Sequence, residues 1–162
     1  MNERLHPTHL RYQQDRIFPS KVVAAADIAG SIDQVWRVLV DFERYREWNP
    51  FTPKVETDLQ VGSPAVLHVD MPGRSKSIRT EWVNLVEPGH TICWGMHMGH
   101  ASLLCANRWQ MLTALDDGHT RYETVDYFSG LLTPVVMALY GEPTRRGFQS
   151  VADGLKAFVE DI

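Results

Sequence analysis

From residue 54 to residue 128, apolar and polar side chains alternate with a period close to two. On either side of that stretch the period lengthens towards that of a helix. The alternating stretch divides into six strands. "KVETDL" and "SPAVLHVDM" come first, joined near Val61-Gly62. "MPGRS" supplies a turn, and "SIRTEWVNLV" then makes a longer strand closed by Glu87-Pro88-Gly89-His90. "TICWGMHM", "LLCANRWQMLTAL" and "TRYETVDYF" follow. Asp116-Asp117-Gly118-His119 joins the last two and is a hairpin signal of the Asp-Gly kind.

Ahead of this block, "KVVAAADI", Lys21 to Ile28, reads as a strand with Val22, Ala24, Ala26 and Ile28 on one face. "AGSIDQVWRVLVDF" predicts a helix. Ser31 stands at the N-cap with Gln34 three residues on, a capping box that satisfies two orphan backbone donors. Ile32, Val35, Trp36 and Leu39 follow at helical spacing. A second short helix, about Phe42 to Glu47, is ended by Asn49-Pro50, because proline disfavours helical geometry in the residue before it. The C-terminal third is helical. Leu131 to Tyr140 is largely apolar, with Pro134 tolerable in a first turn, and Gly141-Glu142-Pro143 interrupts it. Phe148, Val151, Ala152, Leu155, Val159 and Ile162 then form one apolar stripe. The pattern accommodates one kinked helix or two. Residues 1–19 lack strong periodicity and read as a loose arm, which leaves 20–162 as one domain.

Strand alternation assigns faces. Asn107, Trp109 and Met111 share one, as do Tyr122, Thr124, Asp126 and Phe128, and as do Ile92, Trp94, Met96 and Met98. These are expected to point inward. The bulky apolar residues need burial, and the opposite faces carry Arg108, Gln110, Arg121 and Glu123. From Ser77 to Val86 the face is ambiguous, with Ile78, Thr80 and Trp82 competing against Val83 and Leu85.

The 162 residues suit a single core, and 44% apolar with 22% charged side chains is an ordinary globular mixture. A formal charge of −4 argues against a nucleic-acid partner, which needs a basic footprint. No signal peptide is evident, and the apolar, uncharged run Phe128 to Gly141 is too short to span a bilayer, so the expectation is a cytoplasmic protein. Cys93 and Cys105 read as small buried hydrophobes. His97 and His100 have no third ligand in view, and His6 and His9 sit in the polar arm, so no metal is expected. There is no Gly-x-Gly-x-x-Gly, phosphate loop or Gly-x-Ser-x-Gly elbow, so no cofactor is expected either.

The order strand, two short helices, six antiparallel strands, long helix resembles the SRPBCC superfamily. This is the α+β helix-grip fold of START-like, Bet v 1-like and polyketide cyclase/dehydrase proteins. The matching pieces are "IAGSIDQVWRVLVDFERYREWNPF", "VEPGHTICWG", "DDGHTRYETVDYFSGLL" and "GFQSVADGLKAFVE", over about residues 20–162. The resemblance implies a curved sheet wrapped around the C-terminal helix, with an apolar cavity between them. Trp48 and Phe51 would then be either cavity wall or plain core.

With that fold, Trp94, Met96, Met98, Trp109, Met111, Tyr122, Thr124, Phe128 and Tyr140 are expected to bind a ligand alongside Trp48 and Phe51. Asp126 stands where relatives often carry an acid. On an apolar face its pKa should rise, which suits proton transfer, unless an arginine or capped backbone pairs it. Asn107 stands where relatives often have histidine. It could still orient a carbonyl or hydroxyl as Asp126's catalytic companion. The expected function is binding of a lipid-, polyketide- or aromatic-type molecule by a monomer or homodimer, with cyclase or dehydratase activity as an extension. The alternative is a non-catalytic stress-response or partner-binding module whose cavity is small or filled.

Overall fold

The computed structural model describes residues 17–116 and 118–162. Most of the N-terminal arm, with His6 and His9, lies outside them. β1 (Ser20–Ala29) leads into α1 (Ile32–Val40), a short 3-10 turn (Phe42–Arg44) and α2 (Tyr45–Trp48). Then come β2 (Lys54–Glu56), β3 (Pro64–Val69), β4 (Ser77–Glu87), β5 (Thr91–His97), β6 (Cys105–Asp116) and β7 (His119–Ser129), and finally α3 (Thr133–Glu160). The seven strands form one antiparallel sheet in the order β1-β7-β6-β5-β4-β3-β2. It is an α+β helix-grip fold: the sheet curls around α3, and α1 and α2 sit at one end. No helix is long and apolar enough to cross a membrane.

Local signals explain these elements. Ser31 Oγ accepts from the Gln34 backbone N–H, and the Gln34 side chain accepts from the Ser31 backbone, so the capping box forms in full. Val35 and Leu39 bury their side chains from that helix, and the Tyr45 hydroxyl donates to the Leu39 carbonyl at 2.6 Å. The core then gathers Ile28, Val83, Ile92 and Trp94 from the sheet against Val151, Ala152, Leu155 and Val159 of α3. Ile162, expected to continue that stripe, lies past the helix end and is exposed.

α3 is one helix of 28 residues, continuous through Pro143. Proline has no N–H, so the carbonyl of Leu139 loses its intrahelical donor. Arg74, in the turn between β3 and β4, donates to that carbonyl instead, and its guanidinium lies 4.7 Å over the Tyr140 ring. Further along, α2 and the turn after it press against two glycines of α3. A Cβ at Gly147 would overlap the Phe51 ring, and one at Gly154 would overlap the Trp48 carbonyl.

Two β-bulges set the faces of the sheet. A two-residue hairpin closed at Asp116–His119 would, without interruption, place Trp109 opposite Asp126. The register shifts between Ala114 and Asp116, so Arg108 stands opposite Asp126 and Gln110 opposite Thr124. One extra residue flips the strand. The inward face of β6 is therefore Ala106, Arg108, Gln110 and Leu112. Trp109 and Met111 lie on the other face, in a separate cluster with Cys93, Leu85 and Tyr127. This corrects the expected inward placement of Asn107, Trp109 and Met111, and the outward placement of Arg108 and Gln110. A second shift, between Val83 and Leu85, resolves β4. Arg79, Glu81 and Val83 point inward, while Ile78 is 66% exposed on the opposite face.

Candidate functional site

The curled sheet and the N-terminal half of α3 do not close on each other, and a cavity of about 460 Å³ lies between them. Its walls are largely apolar. Leu67, Val69 and Met71 come from β3 and its turn, Met96 and Met98 from the end of β5 and beyond it. Phe128 comes from β7, and Met137, Tyr140 and Phe148 from α3. Phe51 closes one side. It meets Phe148 edge to face, with ring centroids 5.4 Å apart.

Four charged or titratable side chains interrupt these walls: Arg79 and Glu81 on β4, Arg108 on β6 and Asp126 on β7. Arg108 is 5% exposed. Its Nε donates to Thr124 Oγ1 at 3.1 Å, and its guanidinium carbon sits 4.1 Å from the centre of the Phe148 ring. Its Nη2 is buried without a hydrogen-bond partner, and among the described residues no carboxylate comes within 4.0 Å to pair with it. Asp126 faces Arg108 in register, yet its Oδ1 is also buried and unpaired. Burial pushes the Asp126 carboxyl well above the ordinary range. Neighbouring Glu81 adds to this, and Arg108 and Arg79 oppose it. Burial likewise raises Glu81 to about 7 against the pull of the same two arginines.

Of the residues expected at the site, Phe51, Met96, Met98, Asp126, Phe128 and Tyr140 line the cavity. Trp48 and Trp94 do not. They are buried in the core, Trp48 edge-on to Tyr45 at 4.7 Å and Trp94 beside Phe42 at 6.4 Å. Tyr122 points inward but is consumed by the core, where its hydroxyl donates to Gln110 Oε1 at 2.9 Å. Thr124 acts behind the wall as the acceptor for Arg108. Asn107 cannot reach the cavity. On the far face, its Oδ1 accepts from Asn84 Nδ2 at 3.0 Å, and its Nδ2 donates to Cys105 Sγ at 3.5 Å. Cys93 and Cys105 are buried and form no disulfide, and burial holds Cys105 up to about 11. His97 and His100 are exposed on and just after the end of β5.

Arg79 and Glu81 were missed because bulky apolar residues stand on both faces of β4, and Arg108 because both faces of β6 are buried, so alternation alone could not choose between them. The "RTE" triplet, polar in the middle of a long strand, was the signal that one face meets a polar interior.

A family model described as polyketide cyclase/dehydrase and lipid transport matches residues 19–160. No curated protein sequence matches. Among solved structures, the chain is similar to the Zhui aromatase/cyclase of a Streptomyces species, with TM-score 0.70, 20% identity and 88% of this chain and 94% of that one covered. It is also similar to norcoclaurine synthase of Thalictrum flavum, with TM-score 0.67, 17% identity and 91% and 98% coverage. A START superfamily protein of Mycobacterium smegmatis gives TM-score 0.65, 19% identity and 87% and 97% coverage.

Proposed function

The chain belongs to the polyketide cyclase/dehydrase and lipid transport family of the SRPBCC superfamily, and from that premise we propose that it holds a hydrophobic small molecule in the cavity against α3 and passes a proton to it from Asp126. One observation carries this reading. Asp126, with its Oδ1 enclosed and unpaired and its carboxyl pushed well above the ordinary range by burial, lines an apolar cavity large enough for a metabolite.

The chemistry follows from the groups. Asp126 donates its proton to a ligand hydroxyl or carbonyl oxygen. The Arg108 guanidinium, which lines the cavity, offsets negative charge that develops on oxygen, and its charge is worth more in a dry site than in water. Glu81, near 7, exchanges protons readily at neutral pH and serves as the acceptor for a proton from the adjoining carbon. The apolar walls fold a flexible chain so that its reacting carbons approach. Loss of water from a hydroxyl and closure of a ring both fit this set of groups.

A carrier without chemistry is the second reading, because the cavity alone suffices for it. A filled cavity is disfavoured, since Trp48 and Trp94 sit in the core beside the open space. A small-molecule ligand also accords with the formal charge of −4, which gives no basic footprint for nucleic acid.

Native mass spectrometry of freshly purified protein, followed by denaturing extraction, tests the cavity. A co-purified apolar molecule is expected. With the ligand class known, Asp126→Asn should keep the fold and the ligand and lower turnover by about 10²–10⁴-fold. Unchanged turnover would remove Asp126 from the chemistry, and no turnover in either protein would leave the carrier.

A further inference from the structure

We infer that the ligand carries a carboxylate, seated between the Arg108 guanidinium and the Asp126 carboxyl, with its apolar body running along α3. This rests on the cavity being a ligand site. Arg108 is the starting point. A guanidinium with so little exposure has lost most of its water, and among the described residues no counter-ion replaces it. The Phe148 ring face and the Thr124 hydroxyl recover part of that cost and fix the plane of the group. Its Nη2 is enclosed with no hydrogen-bond partner, and the residue lines the cavity.

The rest of the site selects the anion. Arg79 lines the same space and adds a second positive charge. Asp126 and Glu81 would cancel both if fully ionised, but burial pushes both carboxyls up, Glu81 to about 7, so each is ready to take a proton near neutrality, and a protonated carboxyl is a donor. One ligand oxygen would take an Arg108 N–H and the other the Asp126 O–H in the bound complex, which places the carboxylate next to the hydroxyl or carbonyl oxygen that Asp126 protonates in the reaction. A planar, singly charged carboxylate suits two donors on neighbouring strands. A phosphate would bring more charge into walls made of methionine, leucine and phenylalanine.

Binding should also take up protons. A new negative charge beside Glu81 and Asp126 raises both further, so protons enter as the anion does. The charges acting on this pair are Arg79 from β4 and Arg108 from β6, and the same cavity is lined by the apolar Leu67 and Met96 from β3 and β5 and by Tyr140 and Thr144 from α3. Cys93 and Cys105 lie on the far face and stay protonated thiols near neutrality.

Isothermal titration of the full chain with decanoate and decanol reads this directly. At pH 6.5 decanoate should bind about tenfold or more tighter, as a charge-assisted contact predicts. Its heat should vary between buffers of different ionisation enthalpy in the sense of proton uptake, and decanol's should not. Arg108→Met should weaken decanoate binding about tenfold or more and abolish its preference over decanol. Should that variant fail to fold, the wild-type comparison and its buffer dependence still decide. Equal affinity for the two probes, or decanoate binding without proton uptake, overturns the carboxylate and leaves the cavity intact. Binding of neither probe, together with a ligand-free native mass, overturns the cavity reading itself.

Discussion

Glu81 and Asp126 are acids whose native environment favours the protonated form, and that has a consequence for stability. The folded chain holds protons that the unfolded chain releases once pH exceeds the ordinary carboxylate range. Stability from Glu81 is therefore fully present below its unfolded pKa and falls as pH rises towards its folded pKa of about 7. The loss is on the order of 2–3 kcal/mol. Urea unfolding of Glu81→Gln at pH 5 and pH 8 should show that pH-dependent loss reduced by about 2 kcal/mol, with the remainder due to Asp126. An unchanged difference would mean that Glu81 is ionised in the folded chain.

The helices and strands were legible because each was marked by local chemistry that tertiary contacts did not override. The Ser31-Gln34 box, the Asn49-Pro50 stop, the Asp-Gly hairpin and the Val35/Leu39 face all form as read. What was not legible was register. Nothing in "LLCANRWQMLTALDDGH" announces the bulge after Ala114, because both faces of β6 are buried and Trp109 satisfies its outward site as well as an inward one. Asn107 was misplaced for that reason, and Arg108 was overlooked by the same error. The contact between α2 and α3 was equally hidden, since it depends on which glycines a carbonyl and a ring approach. Gly154→Ala drives a methyl into the Trp48 carbonyl and should cost about 2 kcal/mol or more, measurable by denaturant unfolding. Arg74 is half of a latch whose socket is made by Pro143. Arg74→Ala should cost about 1 kcal/mol in stability and speed ligand release measured by stopped flow, because the β3–β4 turn borders the cavity at Met71. Unaltered release would confine Arg74 to holding the helix.

At the scale of the molecule, the fold is a division of labour. The closed end, with Trp48, Trp94, Tyr45 and Leu155, is packed core, and the open end, with the methionines and the four polar groups, is cavity. The same helix serves both. Its C-terminal half is buried from Phe148 to Val159, while its N-terminal half leaves Val135, Leu139 and Tyr140 partly in solvent. The bulge near Ala114 ties this division to descent. Exposed hairpin tips are where chains gain and lose residues most freely. In this chain, losing that bulge at unchanged length would exchange the lining of β6, bringing Asn107 and Trp109 towards the cavity and sending Arg108 out, whereas deleting the extra residue would straighten the strand and keep Arg108 inward. Lineages that share most of this sequence could thus hold opposite chemistry in the same space. An alignment drawn straight through the hairpin would compare side chains that face opposite ways, so kinship of function in this family is traced by register rather than by position.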